Sequence, residues 1–231
     1  VKTKVKSTEA SIASATGKLL RSYFGKGPGA LYVSLAHSYL TIYLKDFITP
    51  MESVLLEQKQ NIKIEQARDV VMNKCIPELK RIWQNEFGIT VQQLYYDWNL
   101  TNKSGILFAE IKATHIMNNS SSLSNEERTG IHQEIERFTE KAQKAPRNIK
   151  SVRLNERTIV SKREDILVTI EKELISSGFE EELRLSKRKL EKNIMDREYL
   201  ESILNQQMED IFVDWDFHHD IGYVVMILQA V

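Results

Sequence analysis

Tyr96-Asp97-Trp98-Asn99-Leu100, with Gly105 seven residues after its tryptophan, recurs as Val213-Asp214-Trp215-Asp216-Phe217, with Gly222 seven residues after Trp215. Self-similarity at a fixed offset is the signature of a repeated structural unit, and here the offset is 117 in a chain of 231 residues. Two further anchors lie upstream in the same order. Asp46-Phe47-Ile48-Thr49-Pro50-Met51-Glu52-Ser53-Val54-Leu55 aligns with Asp165-Ile166-Leu167-Val168-Thr169-Ile170-Glu171-Lys172-Glu173-Leu174, so that Asp46 meets Asp165, Glu52 meets Glu171 and Leu55 meets Leu174. Gly25-Lys26-Gly27-Pro28 has a weaker counterpart in Gln143-Lys144-Ala145-Pro146, which keeps the lysine and matches Pro28 with Pro146. Three anchors in one order describe a tandem of two related units.

The residues between the anchors specify the elements of each unit. From Thr8 to Phe24, Ile12, Ala15, Leu19, Leu20 and Phe24 recur at helical spacing, with Ser7 or Thr8 able to cap the first turn. The glycine-rich turn from Gly25 to Gly29 ends that helix. Leu31, Val33 and Leu35 then alternate with Tyr32 and Ser34, and beyond a turn near His37-Ser38, Leu40, Ile42 and Leu44 alternate with Thr41 and Tyr43, which predicts a β-hairpin. Thr49, Pro50 and Glu52 form a capping-box pattern for a short helix ending near Gln58. A longer helix is expected from Ile62 to Glu86, kinked or interrupted by Pro77 and stopped by Gly88. A second hairpin follows from Thr90 to Trp98 and Ser104 to Lys112.

The second copy repeats this order. A helix is expected from Asn125 to Lys144, strands near Ile149 to Leu154 and Arg157 to Lys162, helices near Glu164 to Ser176 and Glu180 to Asn205, and a closing hairpin. The predicted fold class is α+β, a tandem of two α-ββ-α-α-ββ units, each a four-stranded antiparallel sheet with helices on one face. The boundaries read as a disordered tail over residues 1–7, a first domain over 8–115, an Asn- and Ser-rich linker over 116–124, and a second domain over 125–231.

Composition narrows the function. Lysine plus arginine equals aspartate plus glutamate at 32 each, which removes the overall electrostatic argument for nucleic acid or an anionic membrane as partner. Apolar residues at 42% and charged residues at 28% are in the globular range. Cys75 is the single cysteine, so no intrachain disulfide can form and the cytoplasm is the expected compartment. No stretch approaches the ~18 to 20 apolar residues that span a bilayer. The opening Val1-Lys2-Thr3-Lys4-Val5-Lys6 lacks the apolar core of a signal peptide.

Strand alternation places Val33, Leu35, Leu40, Ile42, Leu94, Tyr96 and Trp98 on the helix-covered face of the first sheet. The opposite face is expected to carry Tyr32, Tyr43, Tyr95 and Leu107, an aromatic surface that a one-sided sheet does not leave in water. Its cover is either intramolecular, the second sheet or a helix, or a second chain in a homodimer. Near Ser151, Arg153 and Lys162 the second copy is more polar, so the interaction surface is assigned to the first half.

No catalytic residue is assigned. Asp97 and Asp214, near strand ends, invite an acid–base reading, but an aspartate ahead of a hairpin usually binds turn amides and a strand tryptophan is usually core. His218-His219-Asp220 resembles part of a metal site without a third ligand, so no metal and no cofactor are assigned. His37, His115 and His132 stand alone and are expected to be exposed. Gly25-Lys26-Gly27-Pro28-Gly29 follows a helix instead of preceding one, which is not the geometry of a phosphate cradle. Cys75 reads as a buried, inert thiol. Arg184-Leu185-Ser186-Lys187-Arg188-Lys189, flanked by Glu180 to Glu182 and Glu191, reads as a solvated helix face with i,i+4 pairs.

The Gly25-Lys26-Gly27-Pro28 turn, the Leu31 to Leu44 hairpin, Ile48-Thr49-Pro50-Met51-Glu52 with Leu55, Arg68 on the long helix, and Phe87-Gly88-Ile89 ahead of the Asp97 strand together resemble the MpsC family over residues 8 to 112. The second copy resembles a diverged version that lacks Gly25, Gly27, Pro50 and the Phe-Gly step. The resemblance implies a cytosolic protein linked to a sodium-translocating, membrane-potential-generating system whose membrane partners are related to bicarbonate-uptake machinery. A chain without a membrane span does not itself move ions, so the expected role is that of a non-catalytic accessory or regulator, peripheral to the inner face of the membrane and bound to a transport subunit. The rival reading is a small-ligand-binding or enzymatic module with its site between the copies.

Overall fold

The structure is a computed structural model that describes residues 2–112 and 122–230. It divides into two compact units, residues 1–118 and 119–231. The linker expected at 116–124 falls mostly outside the described residues, as does His115.

In the first unit α1 (Lys2–Phe24) leads into the hairpin of β1 (Ala30–Ala36) and β2 (Tyr39–Lys45). The helix begins at Lys2, within the stretch expected as a disordered tail. Next come α2 (Pro50–Glu57), α3 (Asn61–Phe87), β3 (Val91–Asn99) and β4 (Ser104–Ile111). The sheet order is β1-β2-β4-β3, antiparallel throughout. Thr49 caps α2 as its sequence predicts: its hydroxyl accepts the Glu52 N–H at 3.3 Å, and the Glu52 carboxylate accepts the Thr49 N–H at 2.8 Å. Gly88 ends α3 at φ 68°, a left-handed conformation that glycine adopts without a Cβ penalty. Pro77 does not interrupt α3, which continues through it.

The second unit repeats the plan with α4 (Asn125–Ala142), β5 (Asn148–Asn155), β6 (Thr158–Glu164), α5 (Thr169–Ser176), α6 (Glu180–Ile194), α7 (Arg197–Leu204), β7 (Met208–Asp216) and β8 (Ile221–Leu228). Its order, β5-β6-β8-β7, copies the first. One irregularity is shared, the register slipping between Val91 and Gln93 in one unit and between Met208 and Asp210 in the other, while a further slip between Arg153 and Asn155 belongs to the second unit. The difference lies in the long helix. The segment expected as one helix from Glu180 to Asn205 breaks at Met195-Asp196, and Asp196 caps α7 by accepting the Tyr199 N–H at 3.0 Å. Glu134 accepts the Asp196 N–H at 2.6 Å, so α4 supplies the partner for the broken backbone.

Register explains the anchor that defines the repeat. Trp98 stands directly opposite Gly105, and Trp215 opposite Gly222. A Cβ on Gly105 would lie 2.3 Å from the Trp98 ring, so the glycine makes room for the indole to lie across the neighbouring strand. The helix face of each sheet forms the core. In the first unit Leu40, Ile42, Leu44, Trp98, Leu107, Ala109 and Ile111 pack under Ile12, Leu20, Ile64, Met72, Cys75, Leu79 and Trp83. Val33, Leu35, Leu94 and Tyr96 border this core, as expected from alternation.

Candidate functional site

The face turned away from the helices is aromatic in the first unit. Tyr32 stacks on its cross-strand partner Tyr43 with ring centroids 6.2 Å apart, and Tyr95 stacks on Phe108 at 5.7 Å, with Tyr39 tilted against Phe108 at 5.3 Å. Exposure along this face is uneven. Tyr32 is 46% exposed, whereas Tyr43 at 3% and Tyr95 at 6% are buried. Leu107 was expected beside them and is not there. It pairs with Ile42 and Tyr96 in register and so points into the helix-covered core, fully buried. The expected quartet thus reduces to one accessible side chain, Tyr32, on an edge strand. The aromatic member on β4 that alternation should have named is Phe108.

The acidic anchors have structural partners. The Asp97 carboxylate accepts the Trp98 N–H at 2.7 Å, and that of Asp214 accepts the Trp215 N–H at 2.9 Å, both aspartates being buried. Arg184 on α6 also donates to Asp214, to the Trp215 carbonyl at 3.1 Å and to Glu180 at 2.9 Å. Lys26 donates to the Ile48 carbonyl at 2.9 Å, and its counterpart Lys144 to Asp165 at 2.8 Å, so each lysine ties the turn before Pro28 or Pro146 to the exit of the second strand. Asp46 and Asp165 themselves take φ 51° and 59° at that exit.

The most elaborate chemistry is buried. Arg68 on α3, 1% exposed, donates from Nε to Glu52 at 2.8 Å and from Nη2 to Glu52 at 2.9 Å and to the Phe47 carbonyl at 2.6 Å. Its guanidinium lies 4.6 Å from the Trp98 centroid and 5.0 Å from that of Phe47. Burial works to raise the Glu52 pKa, but the Arg68 charge and the Thr49 amide outweigh it and hold the carboxyl below its ordinary value. In the second unit Lys187 replaces Arg68. It donates to Glu171 at 2.6 Å and lies 5.3 Å from the Trp215 centroid, while Glu171 accepts the Val168 N–H at 3.0 Å without a hydroxyl to return the bond.

A second exchange accompanies this one. Leu44 opposite Gly105 becomes Arg163 opposite Gly222, and buried Met72 on α3 becomes buried Glu191 on α6. Arg163 pairs with Glu191 and donates to Thr139 at 2.8 Å. The basic run from Arg184 is therefore not a solvated face: Lys187 and Arg188 are buried, and of its two i,i+4 pairs, Glu180–Arg184 and Lys187–Glu191, the second is buried as well. Nothing in the local spacing of residues 184–189 signals this, because the partners come from α5, β7 and Gln143 at the end of α4.

The histidines divide. His219 is exposed and bonds Asp216 at 2.7 Å within its turn. His132 is not exposed as expected. It is half-buried on α4 and lies 3.2 Å from the Ser151 hydroxyl, which lies 2.7 Å from that of Ser161. Burial first, then the charge of Arg128, lowers the His132 pKa. Among the described residues no group of three or more His, Cys, Asp or Glu side chains is placed to hold a metal ion. Cys75 is buried, and its thiol pKa is pushed up to about 12 by burial and then by the charge of Glu78. Among the described residues no helix is long and apolar enough to cross a membrane.

No curated protein and no solved structure matches the chain. A family profile described as "Na+-translocating membrane potential-generating system (MpsC)" matches it twice, over residues 4–111 and 125–230. Those spans coincide with the two α+β units, and the chain accordingly belongs to the MpsC family as a tandem of two copies.

Proposed function

We propose that this protein is a non-catalytic accessory or regulatory component of a sodium-translocating, membrane-potential-generating system, acting by contact with a membrane transport subunit from the cytoplasmic side. The observation that carries the reading is the double match to the family of that description over both units. Its buried ionic groups support a structural role, since Glu52–Arg68 and Arg163–Glu191 are closed within their own units. Tyr32 supports the choice of surface: an exposed, rigid aromatic side chain on an edge strand is the kind of group that anchors protein interfaces.

The test is capture of membrane subunits from detergent-solubilised membranes of the source cells, with cross-linked peptides identified by mass spectrometry. Tyr32→Ser is expected to reduce capture at least about tenfold, the effect of a typical interface anchor. Tyr95→Phe, at a buried position, is expected to leave it unchanged. Undiminished capture by Tyr32→Ser would remove Tyr32 from the interface, and recovery of no ion-transport subunit by the native chain would overturn the accessory role.

A further inference from the structure

We infer that β1 is a self-association edge, through which two copies of this chain pair antiparallel about Val33 to join two first-unit sheets into one. The argument begins with where the backbone points. Outside the paired residues, Ile111 N–H donates to the Ser38 carbonyl at 2.9 Å, which makes Tyr39 and Glu110 a non-bonded pair and turns the Tyr39 amide groups toward β1. Tyr39 faces Ala36 across the two-residue hairpin turn, so that pair is bonded and the pattern alternates along β1. Leu31, Val33 and Leu35 therefore direct their N–H and C=O groups away from β2, toward the sheet edge.

Edge strands normally carry charge, proline or a cover to prevent pairing. The corresponding edge of the second unit follows that rule, with Lys150 and Arg153 on β5. β1 does not: Ala-Leu-Tyr-Val-Ser-Leu-Ala holds no charged residue and no proline. The Glu9 carboxylate reaches this edge and accepts the Leu35 N–H.

Charge placement on α1 selects a second copy as the occupant. Glu9 stands at the Leu35 end of the strand. Gly17 lies against Leu31, where a Cβ would come 3.2 Å from the Leu31 side chain, and the exposed Arg21 one turn on lies along Gly27, just ahead of β1, at the opposite end of the strand. A two-fold axis at Val33 sets Leu35 of one copy beside Leu31 of the other, so each Glu9 approaches the other copy's Arg21. A two-fold contact must be self-complementary, and the outward groups of Leu31 and Val33, the Leu35 carbonyl, and the Glu9 and Arg21 charges meet that condition, the Leu35 N–H staying with its own Glu9.

Light scattering coupled to size exclusion on the whole chain, across a dilution series, tests the inference. A concentration-dependent rise from 26.8 kDa toward about 54 kDa is expected. Val33→Pro removes an outward N–H without touching the β1–β2 ladder and is expected to leave only the monomer. Amide hydrogen exchange supplies a readout independent of that variant. Val33 is expected to exchange at least about tenfold more slowly at dimer-forming concentration, while Ser34, bonded inward, keeps one rate at all concentrations. A monomer throughout, a dimer that persists in folded Val33→Pro, or a dimer with an unprotected Val33 amide would each overturn the proposal. Because none of these measurements involves a membrane subunit, their failure leaves the accessory reading to its own test.

Discussion

Replacing Arg68 with Met should cost the first unit about 3–5 kcal/mol, the range for removing one partner of a buried ion pair. Three hydrogen bonds disappear, two to Glu52 and one to the Phe47 carbonyl, and Glu52 is left as a buried carboxylate with the Thr49 amide and side chain to stabilise its charge. Met fills much of the Arg68 volume against Trp98 and Phe47, so the loss reports electrostatics more than a cavity. The companion is the double variant Glu52→Leu, Arg68→Met. It removes both charges and should fall within about 1–2 kcal/mol of the parent, the cap at Thr49 accounting for the remainder. Two units need not unfold together, so the measurement should isolate the first. With Trp215 replaced by Phe, Trp83 and Trp98 are the remaining tryptophans and both belong to the first unit, so fluorescence-detected urea unfolding then follows that unit alone. A loss below about 1 kcal/mol for Arg68→Met, or a double variant as damaged as the single, would refute the claim that this pair is interdependent.

Gly105→Ala should destabilise the first unit by about 1–3 kcal/mol, because its Cβ would meet the Trp98 ring at 2.3 Å; urea unfolding at parental stability would contradict the account of the Trp–Gly anchor. The stability of the second unit should depend on His132. Its folded pKa lies below the unfolded value of about 6.5, so the folded state favours the neutral ring; the contribution is complete above pH ~6.5 and is lost as pH falls through the folded pKa. The pH-dependent slope in that acid window should flatten in His132→Gln, and an identical profile would show that another group titrates there. Cys75 should resist a thiol-specific disulfide reagent at pH 8 in the native protein and react fully in denaturant, since burial keeps the thiol protonated; rapid native labelling would mean that α3 opens readily.

Alternation and capping make the framework legible in the sequence itself. Thr49 and Glu52 announce the start of α2, Gly88 the end of α3, and the aligned Trp–Gly pairs the duplicated sheet, because each depends on neighbours close in sequence or on a fixed register. Leu107 was misplaced because a hairpin's facing depends on which residues pair across the turn: Trp98 pairs with Gly105, which sends Leu107 to the Ile42 side. Pro77 and Met195-Asp196 show the same limit for helices. A proline suggests a break in α3, yet the break falls in the other unit, where Glu134 and Asp196 satisfy the freed amides. The burial of Lys187 and Arg188 was hidden because helical charge spacing does not reveal what packs across from it.

The exchange of Leu44 and Met72 for Arg163 and Glu191 also sorts the two copies during folding. Tandem units with one topology invite crossed assembly, in which the long helix of one copy docks on the sheet of the other. Here α3 laid on the β6–β8 sheet would set Met72 against Arg163, and α6 laid on the β2–β4 sheet would set Glu191 against Leu44. Either mismatch buries an uncompensated charge at about 3–5 kcal/mol, a large part of what holds a small domain together. The buried pair therefore works as a lock that accepts only its own key, letting two copies of one fold share a chain without trading parts.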